Sequence, residues 1–231
     1  MRRSPLIAVL GVALALTSCG SDDPDDAVTD ERVEQVRQAA VDAGLSDEVA
    51  DVLALAARGA TATFQITYAG ADGAEIMVSQ QPPNRRVDAL TAGLIVESQL
   101  VRDNIGYLCD LPDGGQPGDP LDCHRTQGAI PAQGTFTDEA LDTFSQELIG
   151  SARAMDLTVE MRTIAEAEAT CLIAAPKAGT PIDETTPGVD TICLSGNGAQ
   201  LLVDAGGERV VAATYSTEVP EGTFDVSDDD Q

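Results

Sequence analysis

Five cysteines and one histidine hold most of the reactive chemistry this chain could offer: Cys19, Cys109, Cys123, Cys171, Cys193 and His124. Three chemistries compete for them: disulfide crosslinks, metal ligation, and a thiolate activated by an imidazole. His124 directly follows Cys123. A nucleophile and its base are normally brought together by the fold rather than by adjacency, and a cysteine already in a disulfide is no nucleophile. Zinc needs closely spaced Cys or His ligands. No CxxC is present, so neither a metal nor a cofactor is expected. A GxSxG elbow, a Walker loop and a GxGxxG turn are also missing. The 39 acidic residues include no spacing that marks a carboxylate pair. The expectation is a protein without catalysis.

Cys19 is set apart by what precedes it. Met1-Arg2-Arg3 is a positive start, 6–16 is an unbroken apolar run, and Leu16-Thr17-Ser18 leads into the cysteine. This is a secretory leader with a cleavage site, too short to cross a bilayer as a helix. It resembles the bacterial lipobox, in which small residues precede a cysteine that is acylated and becomes the new N-terminus. The resemblance implies a leader over 1–18, a lipid such as palmitate on Cys19, and a protein anchored to the extracytoplasmic side of the cell membrane.

The formal charge of the whole chain is −26; loss of Arg2 and Arg3 with the leader makes it −28 over 213 residues. Such a field repels nucleic acid and anionic lipid surfaces and favours solubility. Nucleic-acid partners are therefore excluded. The acids are scattered between apolar positions and read as a solvated surface. With four Phe, three Tyr and no Trp, the core must come from Val, Leu, Ile and Ala.

Four cysteines remain beyond Cys19, and an even count in an exported chain reads as two disulfides. Three connectivities are possible. The local pairs Cys109–Cys123 and Cys171–Cys193 are favoured, because each closes a turn-rich loop beside a predicted strand.

The elements that must position these residues follow from periodicity. Residues 19–27 form an acidic, proline-containing tether behind the lipid, and 227–231 an acidic tail. One α+β domain is expected over 28–226. Val33, Val36 and Ala40 keep helical spacing over 29–43, with Gly44 as a stop. Ser46 caps a second helix over 47–58, striped by Val49, Val52, Leu53 and Ala56. The period then changes to two. Strands are predicted over 61–68, 74–80, 85–90, 93–98 and 105–109, with Pro82-Pro83 ending the second and a loop over 110–120. A third helix is predicted over 137–154, capped by Thr137 and striped by Leu141, Phe144, Leu148 and Ala152. Strands return over 157–163, 167–174, 191–195, 199–204 and 209–219, the third and fourth joined by Gly196-Asn197-Gly198. In the last strand Val211, Ala213, Tyr215, Thr217 and Val219 are predicted to share one face. The regular spacing predicts an antiparallel meander.

Within this order Ile76-Met77-Val78 leads through Pro82-Pro83 to Arg85, Arg86 and Val87, and a further strand pair ends near Tyr107. This resembles the LolA/LolB-like superfamily of lipoprotein carriers, whose architecture is shared by mycobacterial lipid-carrying lipoproteins. The resemblance implies an incomplete antiparallel barrel, a half-barrel sheet wrapped over helices, with an apolar cavity for acyl chains. The order of elements matches over 61–224, the motif only around Pro83-x-Arg85. The four paired cysteines depart from that superfamily's pattern.

The candidate lining of such a cavity is Phe64, Ile66, Tyr68, Val78, Val87, Val159, Met161, Val211 and Tyr215. Alternating apolar positions form solid core by default, so the same set could equally pack against the helices. Arg85 and Arg86 are candidates to meet an anionic headgroup at a cavity mouth. The function expected is binding or carriage of a lipid or acyl chain. The alternative is a tethered interaction module with a solid core and no ligand, engaging an envelope protein.

Overall fold

The structure is a computed structural model, and it describes residues 30–70, 73–103, 105–115, 122–126, 137–179, 190–205 and 207–226. Cys19, the leader, the tether and the tail over 227–231 lie outside the described residues.

Apolar periodicity and end signals produce the helices where the sequence predicts them. Helix α1 (Asp30–Asp42) buries Val36 and Ala40. The chain turns at Gly44, whose φ of +89° suits only a residue without Cβ. In α2 (Asp47–Gly59) the Ser46 hydroxyl accepts from the Val49 amide, satisfying one otherwise orphaned donor. The stripe of α2 is wider than the pattern Val49, Val52, Leu53 and Ala56 predicts. Ala50, Ala54 and Ala57 are buried as well, as befits a helix enclosed on most sides.

Strands β1 (Phe64–Ala69), β2 (Ala74–Gln81), β3 (Asn84–Thr91), β4 (Leu94–Arg102), β5 (Ile105–Gly115) and β6 (Cys123–Thr126) pair successively and antiparallel. Helix α3 (Asp138–Ser151) follows, its first turn capped by the Thr137 hydroxyl accepting from the Ala140 amide. Strands β7 (Met155–Ile164), β8 (Ala167–Pro176), β9 (Asp190–Ser195), β10 (Gln200–Ala205) and β11 (Glu208–Ser216) form a second meander. The first strand and the last then pair with each other, β1 against β11. The two meanders thereby fuse into one open eleven-stranded sheet in the order β6-β5-β4-β3-β2-β1-β11-β10-β9-β8-β7.

Three expectations need correction. The loop predicted from residue 110 starts later: β5 runs on to Gly115, because a bulge between Ile95 and Glu97 lets β4 stay paired through that irregular stretch. β6 was not predicted at all; it is a four-residue edge strand, too short to show a period. The final strand stops at Ser216, whose hydroxyl turns back on both the N–H and the carbonyl of Glu218. A second bulge, opposite Thr67 and Tyr68, breaks the single face predicted for that strand. Tyr215 pairs with Ile66 and Ala212 with Tyr68, so Val211 is turned to the opposite side from Tyr215. One inserted residue flips every side chain beyond it.

Both disulfides form as the local pairs, Cys109–Cys123 and Cys171–Cys193. Each joins directly opposed residues of neighbouring strands, β5 to β6 and β8 to β9. All four cysteines are buried. The first staples the short edge strand to the sheet. Replacing Cys109 and Cys123 together by alanine is expected to lower stability by about 3 kcal/mol, since a loop of this size loses that much constraint in the unfolded chain. Urea unfolding of the variant beside the parent measures it.

One apolar cluster joins α1, α2 and α3 to β7–β10 through Leu157, Leu172, Ile192, Leu194 and Val203, with α2 lying against β7, β8 and β9. A second joins Phe64, Ile66, Tyr68 and Val78 to Cys171, Cys193, Leu201 and Leu202. The β9–β10 hairpin locks onto the end of α2. Asn197 donates to the Thr63 carbonyl at 3.1 Å and accepts from Ser195 and from the Tyr215 hydroxyl.

Candidate functional site

The predicted lining residues fall into three places. Phe64, Ile66, Tyr68 and Val78 are sealed in the second cluster, which Val87, Val211 and Tyr215 border. Val159 is half-buried under the helices instead. Met161 lies on the edge strand β7, 62 % exposed, where its sulfur accepts from the Thr170 hydroxyl. The set is therefore not one continuous lining. The tyrosine hydroxyls are committed to structure: Tyr68 donates to the Gln200 carbonyl at 2.6 Å and Tyr215 to Asn197 at 2.8 Å. Burial pushes the Tyr68 phenol well above its ordinary range, so it stays neutral.

Register nonetheless draws one line across the sheet. Tyr215, Ile66, Val78, Val87, Gln99, Leu108 and His124 are successive ladder partners from β11 to β6. Burial falls along it: Ile66 and Val78 expose nothing, Val87, Gln99 and Leu108 are half-buried, and His124 is exposed. Arg85, Ala89 and Val101 lie on the same side as Val87 and are also half-buried. The face over β3–β5 thus sets aliphatic positions among Arg85, Gln99 and Glu97, is partly open, and runs sideways into packed core at Val78 and Ile66. Gln99, Val101 and Leu108 were not singled out by sequence. Their strands read as ordinary alternation, and only the register places them beside Val87.

The two arginines part company because successive residues of a strand point to opposite faces. Arg85 stays with Val87. Its Nη1 donates to Gln80 Oε1 at 3.3 Å, while Nε and Nη2 are buried and have no partner. Gln80 is itself held, its amide donating to the carbonyls of Gly59 and Ala62 at 2.9 Å and of Ala60 at 3.3 Å. Burial pulls Arg85 down to about 10, so the guanidinium keeps its charge at neutral pH.

Arg86 cannot meet a headgroup alongside Arg85. It faces the other way, 2 % exposed, with Nε on Asp88 Oδ1 at 2.7 Å and Nη1 on the Thr223 carbonyl at 2.9 Å. Thr223 and Val226, from the segment after β11, cover this side of β3–β5. Asp88 and Ser98 were missed by sequence reading because polar residues in a strand default to the solvent side, and Thr223 because its segment has no period to read. Ser98 faces Asp88 across the ladder, and both are fully buried.

His124 and Cys123 also point apart, and Cys123 is in a disulfide. Among the described residues no group of three or more His, Cys, Asp or Glu is placed to hold a metal ion. No described helix is long and apolar enough to cross a membrane. No family model matches the sequence, and no curated protein matches it either.

Proposed function

We propose that this chain is an envelope lipoprotein, acylated on Cys19 and tethered to the extracytoplasmic side of the cell membrane, that binds or carries a lipid or acyl chain without catalysis. The observation that carries the reading is the set of half-buried aliphatic positions Val87, Ala89, Val101 and Leu108 beside the sealed Ile66 and Val78. An apolar sheet face must be covered by helices, by the sheet itself or by a ligand. The helix that meets the sheet lies over β7–β9 rather than β3–β5. The open antiparallel sheet, with two helices before it and one between its meanders, supports the LolA/LolB-like half-barrel reading. The lipobox pattern before Cys19 supports the anchor.

The test is native mass spectrometry of the full chain purified from its own host, followed by organic extraction. A reproducible co-purifying lipid is expected, and Leu108→Trp is expected to abolish it, since Leu108 lies on the half-open face away from the sealed cluster. A clean mass for the chain, with no uptake of added lipids, overturns the reading. The tethered interaction module then stands in its place.

A further inference from the structure

Arg85 is a buried cation in search of an anion. This chain has 39 acidic residues, yet none of those described reaches the Arg85 guanidinium, and Tyr68, its charge neighbour, is neutral. The contrast with Arg86 is direct. Arg86 is enclosed more deeply, at 2 % exposure, and is neutralised by Asp88 at 2.7 Å. Leaving a charge buried and unpaired is unfavourable by several kcal/mol, so proteins seldom keep one without a use.

The geometry of the unused donors narrows the partner. Nε and Nη2 form one edge of the guanidinium, with two parallel N–H groups that match the two oxygens of a carboxylate or phosphate. The other nitrogen, Nη1, is turned to Gln80 Oε1, and the hydrogen bonds from Gln80 to the end of α2 hold that orientation. The apolar positions Val87 and Ala89 continue from Arg85 along β3, and Val101 sits opposite it on β4. Leu108 lies one strand further. A head at Arg85 thus has Val87 and Val101 next to it and Leu108 beyond Gln99, two strand spacings or roughly 10 Å across the sheet.

We infer that the ligand of this face is an anionic amphiphile, whose carboxylate or phosphate monoester docks side-on to Arg85 while its hydrocarbon runs over Val87, Val101 and Leu108. The inference rests on the carrier reading and adds the head-group class to it.

Three probes separate the outcomes: palmitate, hexadecanamide of the same length without charge, and inorganic phosphate. Each is titrated into the full chain, the two amphiphiles below their aggregation concentrations. The parent is expected to bind palmitate at least tenfold more tightly than hexadecanamide. Arg85→Gln is expected to remove the preference for palmitate over the amide, with Arg85→Lys in between. Equal binding of acid and amide by the parent overturns the inference but leaves the carrier reading intact. Persistence of the preference in Arg85→Gln also overturns it. Tight, Arg85-dependent binding of phosphate alone would make this a free-anion site and remove the amphiphile. Failure of both amphiphiles to bind sinks the carrier reading itself. Should Arg85→Gln not fold, the acid-to-amide ratio of the parent decides alone.

Discussion

Replacing Asp88 by leucine is expected to destabilise this protein by about 3–5 kcal/mol, because the change strands a buried charge. Arg86 and Asp88 expose 2 % and 1 % of their side chains, joined at 2.7 Å. Leucine removes the carboxylate beside Arg86 and leaves no acceptor in its place. Arg86 would retain the Thr223 carbonyl alone. The pair as a whole is a different matter. Two charges taken out of water are only partly repaid by their attraction, so the double change Arg86→Met with Asp88→Leu is expected to be near neutral. The contrast between single and double variants, read by urea unfolding, isolates the cost of the orphaned charge. If Asp88→Leu unfolds at the parent's midpoint, the pair is not sealed as described.

Asp88 also sets a pH signature. Burial pushes its carboxyl above the ordinary 3.8, against the opposing pull of Arg86. The native state therefore holds this proton where the unfolded chain has lost it. The stabilising contribution is full below the unfolded value and is lost as pH rises through the folded one. Relative to the uncharged double variant, the parent should gain stability as pH falls from 7 towards 4. A parallel pair of unfolding curves across that range checks the sign.

The second large effect is expected at Gly198. Its φ is +88°, and a Cβ there would stand 2.1 Å from the Leu55 carbonyl oxygen and 2.5 Å from the Gly59 nitrogen. Both are backbone atoms at the end of α2, so no side chain can swing aside. The left-handed backbone adds roughly 1–2 kcal/mol of strain, and overpacking adds one to three more. Gly198→Ala is expected to lose about 2–5 kcal/mol by driving the β9–β10 hairpin off α2. Gly196, two residues earlier in the same turn, has nothing within 4 Å of its would-be Cβ. Gly196→Ala should therefore stay within about 0.5 kcal/mol of the parent. Thermal melts of the two variants side by side make the comparison; equal shifts would mean the hairpin does not dock on the helix.

Much of this architecture is legible locally. Ser46 and Thr137 sit at the cap positions that their hydroxyls predict, and the stripe of α3 buries Leu141 and Leu148 as its spacing requires. The alternation of Phe64, Ile66 and Tyr68 is a buried face. These signals depend on a few neighbouring residues, so the chain carries them wherever it folds. The disulfides are a partial case: even count and loop composition favour the local pairs, but only the ladder sets Cys109 opposite Cys123 and Cys171 opposite Cys193.

The candidate site was less legible. Arg85 and Arg86 read as one basic pair, yet a strand turns them to opposite sides, and only the covering segment at Thr223 makes Arg86 a core residue. The bulge opposite Tyr68 separates Val211 from Tyr215, and no residue in the last strand announces it.

What the sequence determined by itself was the inventory: which segments are helices or strands, where they begin, which cysteines remain to pair, and the pattern around Cys19. What only the tertiary structure decided was the union of β1 with β11, and with it the line from Tyr215 to His124 that leaves Val87, Val101 and Leu108 half-open beside Arg85. The reason is physical. Period, cap and turn preferences are set by contacts within a few residues. The meeting of strands some 150 residues apart depends instead on how the whole chain best buries its apolar faces, which outweighs the loop-closure entropy of bringing them together.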